Sequence, residues 1–332
     1  MNNQTKEMLK LVKYAFHKEI TGGDSAFEKL LDFATPYLHR ENEKITSMVL
    51  DVHFDVKLDE KIVPMSGIAY VASYPEYRGN GAIRQLMTEI LQDNYKNGTI
   101  ISYLSPFSYK FYRKFGYSYL FDHKYYEMKS EIFPKGRNSD DGKMLRQNFE
   151  DALSNLTEVH EKADNNGSVV RTKAIWEYYF QYKSKPYFAT FVKSDQPQGY
   201  VIYEFDGMNF VIRELIALNE EAKQALYDYV SSHLSGFETV KWRATSDERL
   251  EFDVNEPSNL TIVQKPDMMA RIVNLPKFLE LYDVTNLNVA VTDEIIPENN
   301  VTIGKTAKKS LTINDFTALM LREKSLILRE DF

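Results

Sequence analysis

The chain contains no cysteine. Disulfides, thiolate nucleophiles and cysteine-held metals are therefore excluded. Histidine is also scarce. The six residues (His17, His39, His53, His123, His160 and His233) are scattered, with no two at the i, i+4 spacing of a metal pair, so no metal site is expected. No apolar run approaches the roughly 20 residues of a membrane span. The opening MNNQTKEMLKLVKYAF contains an acid and lacks the unbroken apolar centre of a signal peptide, so a cytoplasmic protein with no membrane partner is expected. Basic residues are in deficit, 41 against 48 acids, for a formal net charge of -7. With no dominant basic stripe, nucleic acid is not an expected partner. The same balance favours a cationic substrate.

What is present is core material. Apolar residues make up 43% of the 332, with 22 Tyr and 20 Phe. That length and content suit two or three folded domains. Residues 5 to 18 read as an amphipathic helix, and a second short helix runs from Ser25 to near Pro36. MVLDVHFDV and KIVPMSGIAYVAS read as antiparallel strands turning at Leu58-Asp59. Ile83, Leu86, Met87, Ile90 and Leu91 recur at helical spacing, and Asn97-Gly98 closes that helix. TIISYLS is a strand, Tyr109 to Lys114 a short helix, Gly116 a turn and DHKYYEMKS a strand.

The turn-rich PKGRNSDDGK, 134 to 143, reads as a linker. Helices over 144 to 165 and 171 to 182 follow. Then come strands at YFATFVK, GYVIYEF and NFVIRELIAL, with a hairpin turn at Asp206-Gly207, a helix at EEAKQALYDYVSSHL and a strand at TVKWRAT. This order of elements repeats that of the first 130 residues. From about Pro266 a block of strand, helix, two strands, helix and tail reads as a small α+β module. The organisation is thus 1–133, 134–265 and 266–332.

One stretch carries chemistry. In YPEYRGNGAIRQLM, Gly79 and Gly81 stand between a strand and a helix, behind Arg78. A helix N-terminus presents unpaired N–H groups and the positive end of its dipole. Glycines let a phosphate approach that backbone, and the arginine adds a fixed charge. The pattern is neither a Walker loop nor a dinucleotide fingerprint. By itself it is equally a plain strand-to-helix turn. At the matching place in the second half the chain has Asn219-Glu220-Glu221, whose acids would repel a phosphate.

With its surroundings, VPMSGIAYVASYPEYRGNGAIRQLM and ISYLSPFSYKFYRKFGYSYLF, the stretch resembles acetyltransferases of the GNAT class, and within them the Eis (enhanced intracellular survival) family. Arg78, Gly81 and Ile83 take the loop's three key places, and the bulky Ile83-Arg84 pair is the Eis-like departure from the general pattern. The resemblance implies an α+β chain of two tandem GNAT folds, the second degenerate. It also implies a C-terminal sterol-carrier-protein-like domain, here short. Acetyl-CoA would be the donor and an amine (aminoglycoside, polyamine or lysine side chain) the acceptor. Backbone over Tyr70, Val71, Ala72 and Ser73 would pair with the pantetheine arm, with Val71 and Ser73 in direct contact and Tyr70 also near the acceptor. Arg78, Gly79, Asn80, Gly81, Ala82 and Ile83 would hold the pyrophosphate, with Arg84 at a phosphate.

The resemblance further implies that Tyr112 protonates the leaving thiolate, a task open to a phenol that keeps its proton at neutral pH. The carboxylate of Phe332 would act as base, with Asp331 drawing in the cationic amine. Homo-oligomers, often hexamers, go with the family. Two other readings stay open on the residues: a Fem-like aminoacyl-tRNA-dependent peptidyltransferase, and a binding module in which CoA only stabilises the fold.

Overall fold

A computed structural model describes residues 2–330, the side chain of Thr285 excepted. Asp331 and Phe332, named above as acceptor site and base, lie outside the described residues. By packing, the chain forms two compact units. The first joins residues up to Phe121 with 267–326 and Glu330; the second holds 122–266 with 327–329. The boundaries drawn from sequence follow the turn-rich 134–143 and the new block of elements from about Pro266. Packing changes hands at Asp122 and Asp267.

In chain order the first unit opens with α1 (Asn3–Phe16), capped by the Asn2 side chain, and α2 (Gly23–Leu30). The helix read toward Pro36 stops short, and Pro36 lies inside a strand, β1 (Ala34–Glu41). β1 has one strand neighbour only, and a sheet edge is where a residue without an N–H is tolerated. β2 (Lys44–Leu58) and β3 (Lys61–Ser73) form the hairpin, closed by Asp59-Glu60, one residue later than the sequence suggested. α3 (Ala82–Asn97) ends at Gly98 as expected. β4 (Ile101–Leu104) and α4 (Tyr109–Arg113) follow. β5 (Ser118–Lys129) then carries the chain into the second unit.

There, β6 (Gly142–Gln147) replaces the start of the helix expected from 144; α5 (Phe149–Lys162) begins only after its Asn148 cap. Half-buried Met144 and Leu145 were open to either period, and pairing with the next strand decides for β. α6 (Lys173–Glu177) runs on as a π-helical turn over Tyr178–Tyr182. β7 (Tyr187–Lys193), β8 (Gln196–Asp206), β9 (Asn209–Ala217), α7 (Glu220–His233) and β10 (Thr239–Thr245) match the expected order. Asp206 pairs with Asn209, so the β8–β9 turn is Gly207-Met208, again one residue on.

β11 (Thr261–Ile272) returns the chain to the first unit. α8 (Leu275–Leu281), β12 (Val289–Thr292), β13 (Val301–Ile303), β14 (Lys309–Thr312) and α9 (Ile313–Leu321) complete it. The last three strands form a sheet of order β13-β12-β14. β14 was read as part of the final helix, but Thr312 is that helix's N-cap, its side chain accepting from the Asp315 amide.

The two units share a plan. In the first, the order is β1-β2-β3-β4-β11, with β3 and β4 parallel and α3 crossing between them. In the second it is β6-β7-β8-β9-β10-β5, with β9 and β10 parallel and α7 crossing. Leu86, Met87, Ile90 and Leu91 of α3 bury against Val49, Ile68 and Leu104 of the sheet. Ala222, Leu226 and Val230 of α7 bury against Val201, Phe210 and Val240. Both are crossovers whose apolar stripe covers one sheet face.

Candidate active site

The site is built on a break in β3. Met48 of β2 faces Ala72 and Leu50 faces Ala69, so Tyr70 and Val71 together oppose Val49. One extra residue makes this a β-bulge, and Tyr70 takes a left-handed φ of 50° to fit it. The ring of Tyr70 meets Phe27 edge-on at 5.2 Å and Phe16 at 6.2 Å. Just before the bulge, after Ile68, β3 loses its parallel neighbour. Pairing with β4 runs from Met65–Ile101 to Ile68–Leu104 and stops where β4 ends. The β4-facing side of Ala69–Ser73 is thus an open strand edge, with main-chain groups able to take an extended partner. Ala72 is buried and Val71 and Ser73 half-buried, and Ser73 Oγ is hydrogen-bonded to Ser47 Oγ.

From that edge the chain makes a 3-10 turn over Pro75–Tyr77 and enters the glycine loop. Gly79 and Gly81 have φ of 82° and 91°, and nothing lies within 4 Å of where either Cβ would stand. The backbone conformation, not crowding, requires glycine here, and the space beside the loop is open. Asn80 Oδ1 accepts from the Ala82 amide at 2.9 Å, which starts α3. The amides of Gly79, Asn80 and Gly81 have no hydrogen-bond partner among the described residues. Arg78 and Arg84 are exposed and form no ion pair among the described residues. Bare amides, a 16-residue helix N-terminus and two uncommitted guanidinium groups suit the diphosphate of a CoA-type carrier.

Tyr112 lies on α4, whose first turn is capped by Ser108 Oγ accepting from the Phe111 amide. It is buried against Phe107, Phe111 and Tyr117. Burial, with Tyr117 adding, pushes its phenol well above the ordinary tyrosine value. A phenol so placed holds its proton and forms no hydrogen bond among the described residues. Tyr112 belongs to one apolar cluster with Leu86, Met87 and Leu104, and half-buried Val71 and Ile83 pack against it. The structure therefore brings the strand edge, the loop's end and the phenol together. Ala82 is buried as the loop's anchor, and Tyr70 turns to α1 and α2 instead.

Further buried groups belong to the same unit; of these only Tyr117, which follows the Gly116 turn, reads from sequence as a packing residue and rival to Tyr112. Tyr117 is fully buried, and its hydroxyl lies 2.7 Å from Ser102 Oγ. Ser66 Oγ donates to Asp51 at 2.5 Å, and Asn94 Nδ2 donates to the other oxygen at 2.8 Å. Burial raises the Asp51 carboxyl above its ordinary value. Its sequence signal was an acid in the middle of an apolar strand. Arg271 is buried, donates to the Phe115 carbonyl and pairs with Asp293. The turn that follows Tyr112 is thus held at Phe115 by a side chain 156 positions later, which no local pattern could show.

The chain matches two family models, both described as an acetyltransferase (GNAT) domain, over residues 2–120 and 167–272. Among solved structures it is similar to a probable N-acyltransferase from Enterococcus faecalis, at 28% identity and TM-score 0.87, covering all of this chain and 98% of that one. A GCN5-related N-acetyltransferase from Anabaena variabilis matches at 22% identity and TM-score 0.80, over 96% of this chain and 88% of that one. Eis1 from Mycobacterium abscessus matches at 18% and 0.76, over 97% and 88%. No match was found among curated proteins. Two matched domains, in two units of common plan, make the chain a tandem-GNAT acetyltransferase.

Proposed function

We propose that the chain is an acetyl-CoA-dependent N-acetyltransferase of the Eis type, with its chemistry in the first unit. The observation that carries this reading is the single cluster that holds Tyr112, with Val71 and Ile83 packed against it, beside a bulged strand edge and bare loop amides. The carrier supplies an acyl thioester; the amine nitrogen bonds to the acyl carbon as the carbon–sulfur bond breaks. Val71 and Ser73 would hold the pantetheine amides along the open edge. Gly79, Asn80, Gly81 and Ile83 would meet the diphosphate, with Arg78 and Arg84 neutralising it. Tyr112 would give its proton to the departing sulfur. The carboxylate proposed to take the amine's proton is that of Phe332, where the chain closes there, with Asp331 adding negative charge.

A net charge of -7 favours cationic acceptors, so aminoglycosides, polyamines and lysine side chains form the proposed panel. The three-part organisation (1–133, 134–265, 266–332), the sterol-carrier likeness of the last part and a homo-oligomer, possibly a hexamer, belong to the same proposal. The test is thiol release from acetyl-CoA across that panel, beside a CoA thermal-shift titration. Stabilisation should grow as RT ln(1+[L]/Kd) and thiol should appear with at least one amine. A shift without thiol release would leave a binding module; neither would dismiss the reading.

A further inference from the structure

In the second unit β9 and β10 pair from Asn209–Thr239 to Ile212–Trp242 and then part. β9 runs on to Ala217 against β8, and β10 to Thr245 against β5. This is the same opening that β3 and β4 leave in the first unit. Here it is filled. Leu328 and Arg329 lie with Glu214 and Leu215 of β9 and Arg243 and Thr245 of β10 around a residual cavity of about 20 Å³. That is room for one water.

The segment is held through its backbone. The Ile327 amide donates to the Asn166 carbonyl at 2.5 Å. Ser168 Oγ donates to the Ile327 carbonyl at 2.6 Å and accepts from the Arg329 amide at 3.2 Å, bracketing Leu328. His123 Nε2 stands 2.7 Å from the Leu328 carbonyl, while Arg243 Nη2 stands 3.2 Å from its Nδ1. Arg243 can only donate, so Nδ1 accepts and Nε2 carries the proton toward Leu328. Arg329 Nε donates to Asn165 Oδ1 at 2.5 Å, and Asn165 itself is fixed by donating to the His160 carbonyl. Asn165, Ser168 and His123 are all buried.

We propose that the second unit is a peptide-binding domain whose ligand is the chain's own C-terminal segment, residues 327–329 occupying the strand opening that the first unit offers to an acyl carrier. The ligand class is an extended peptide with two branched apolar residues followed by arginine, read by main-chain bonds and one guanidinium. Such a site explains why a domain with no phosphate loop keeps its parallel-strand opening. It also fixes the chain three residues before Phe332. The clamp does not rest on the base role proposed above.

The test is hydrogen exchange by mass spectrometry on the full chain, with steady-state kinetics on the same samples. Ser168→Ala removes two bonds to the tail. Exchange over 325–330 should rise at least about tenfold, each bond being worth about 1 kcal/mol, while exchange in α7 and β8 stays unchanged. Ser168→Thr should restore protection. If the carboxylate reading also holds, kcat falls and KM for acetyl-CoA stays within twofold. Loosened tail with unchanged turnover keeps the clamp and removes the base role. Unchanged tail exchange overturns the clamp. Should Ser168→Ala raise exchange throughout, Arg329→Ala alters only the tail side, and the same local rise is required of it.

Discussion

The two units carry one plan and differ at the three places where an acyl carrier would be handled. In the first, α3 begins at Gly81 with a left-handed φ and bare amides; in the second, α7 begins at Asn219, whose side chain accepts from the Ala222 amide. Two acids, Glu220 and Glu221, occupy the first turn of α7, and none occupies that of α3. A side-chain cap fills the seat an anion would take, and the acids add charge of the wrong sign. Beneath the loops, the first opening is flanked by Tyr112 and apolar side chains. The second is backed by the Arg171–Glu214 pair, bidentate at 2.8 and 2.6 Å, with the Tyr200 hydroxyl donating to Glu214 at 2.5 Å. The lesson is that a helix mouth and the strand edge below it change together: where the loop is capped, the opening belongs to protein.

The largest expected effect breaks the second unit's support. Arg171→Met leaves Glu214 buried without its cationic partner and should cost about 3–5 kcal/mol, read as a lowered midpoint in urea. Both tryptophans, Trp176 and Trp242, belong to the second unit, so fluorescence follows that unit alone. Next, Tyr112→Phe should lower kcat by about 10²–10³ with KM for acetyl-CoA nearly unchanged, as loss of a general acid does. An equal loss from a matching change in the second unit would contradict a division of labour. Third, Gly81→Ala places a side chain at φ of 91° and should weaken CoA binding about tenfold by thermal shift. Least, Asn219→Ala should cost about 1 kcal/mol of stability and leave acetyl-CoA binding untouched.

Acid sharpens the contrast. Burial pushes the Glu214 carboxyl up, but the charge and hydrogen bonds of Arg171 outweigh it and hold it at about 2, below its ordinary 4.5. The unfolded chain then binds the proton more tightly, so this stabilisation is complete above pH about 4.5 and is lost as pH falls toward 2. Asp51 in the first unit is shifted the other way, raised by burial, and its contribution grows as pH falls toward its ordinary 3.8. Tryptophan fluorescence should therefore show the second unit giving way in acid while circular dichroism still reports folded structure. Simultaneous loss of both signals would contradict this.

Much of the molecule was legible in its residues. The α3 helix, its Gly98 stop, the hairpins and the repeated order of elements followed from period and turn chemistry, because those signals lie within a few residues of one another. β1, β6 and β14 were not legible. Each is short or half-buried, and pairing makes it a strand: β1 with β2 across a two-residue turn, β6 with β7 and β14 with β12 far along the chain. The glycine loop and the phenol were named from sequence, since a positive φ and a motif tyrosine are local facts. The bulge at Tyr70-Val71 and the Arg271 contact behind Tyr112 depend on register and on residues far along the chain.

What the sequence alone determined is where backbone could be left bare: glycines leave the amides uncovered at Gly79 and Gly81, and Asn219-Glu220-Glu221 caps its helix and adds acid, because caps and charges act over a single helical turn. Only the tertiary structure decided where each pair of parallel strands opens and what packs beside the second opening. That choice rests on pairing that ends at Leu104 in one unit and Trp242 in the other, and on a tail that packing, not local preference, brings to Ser168 and His123.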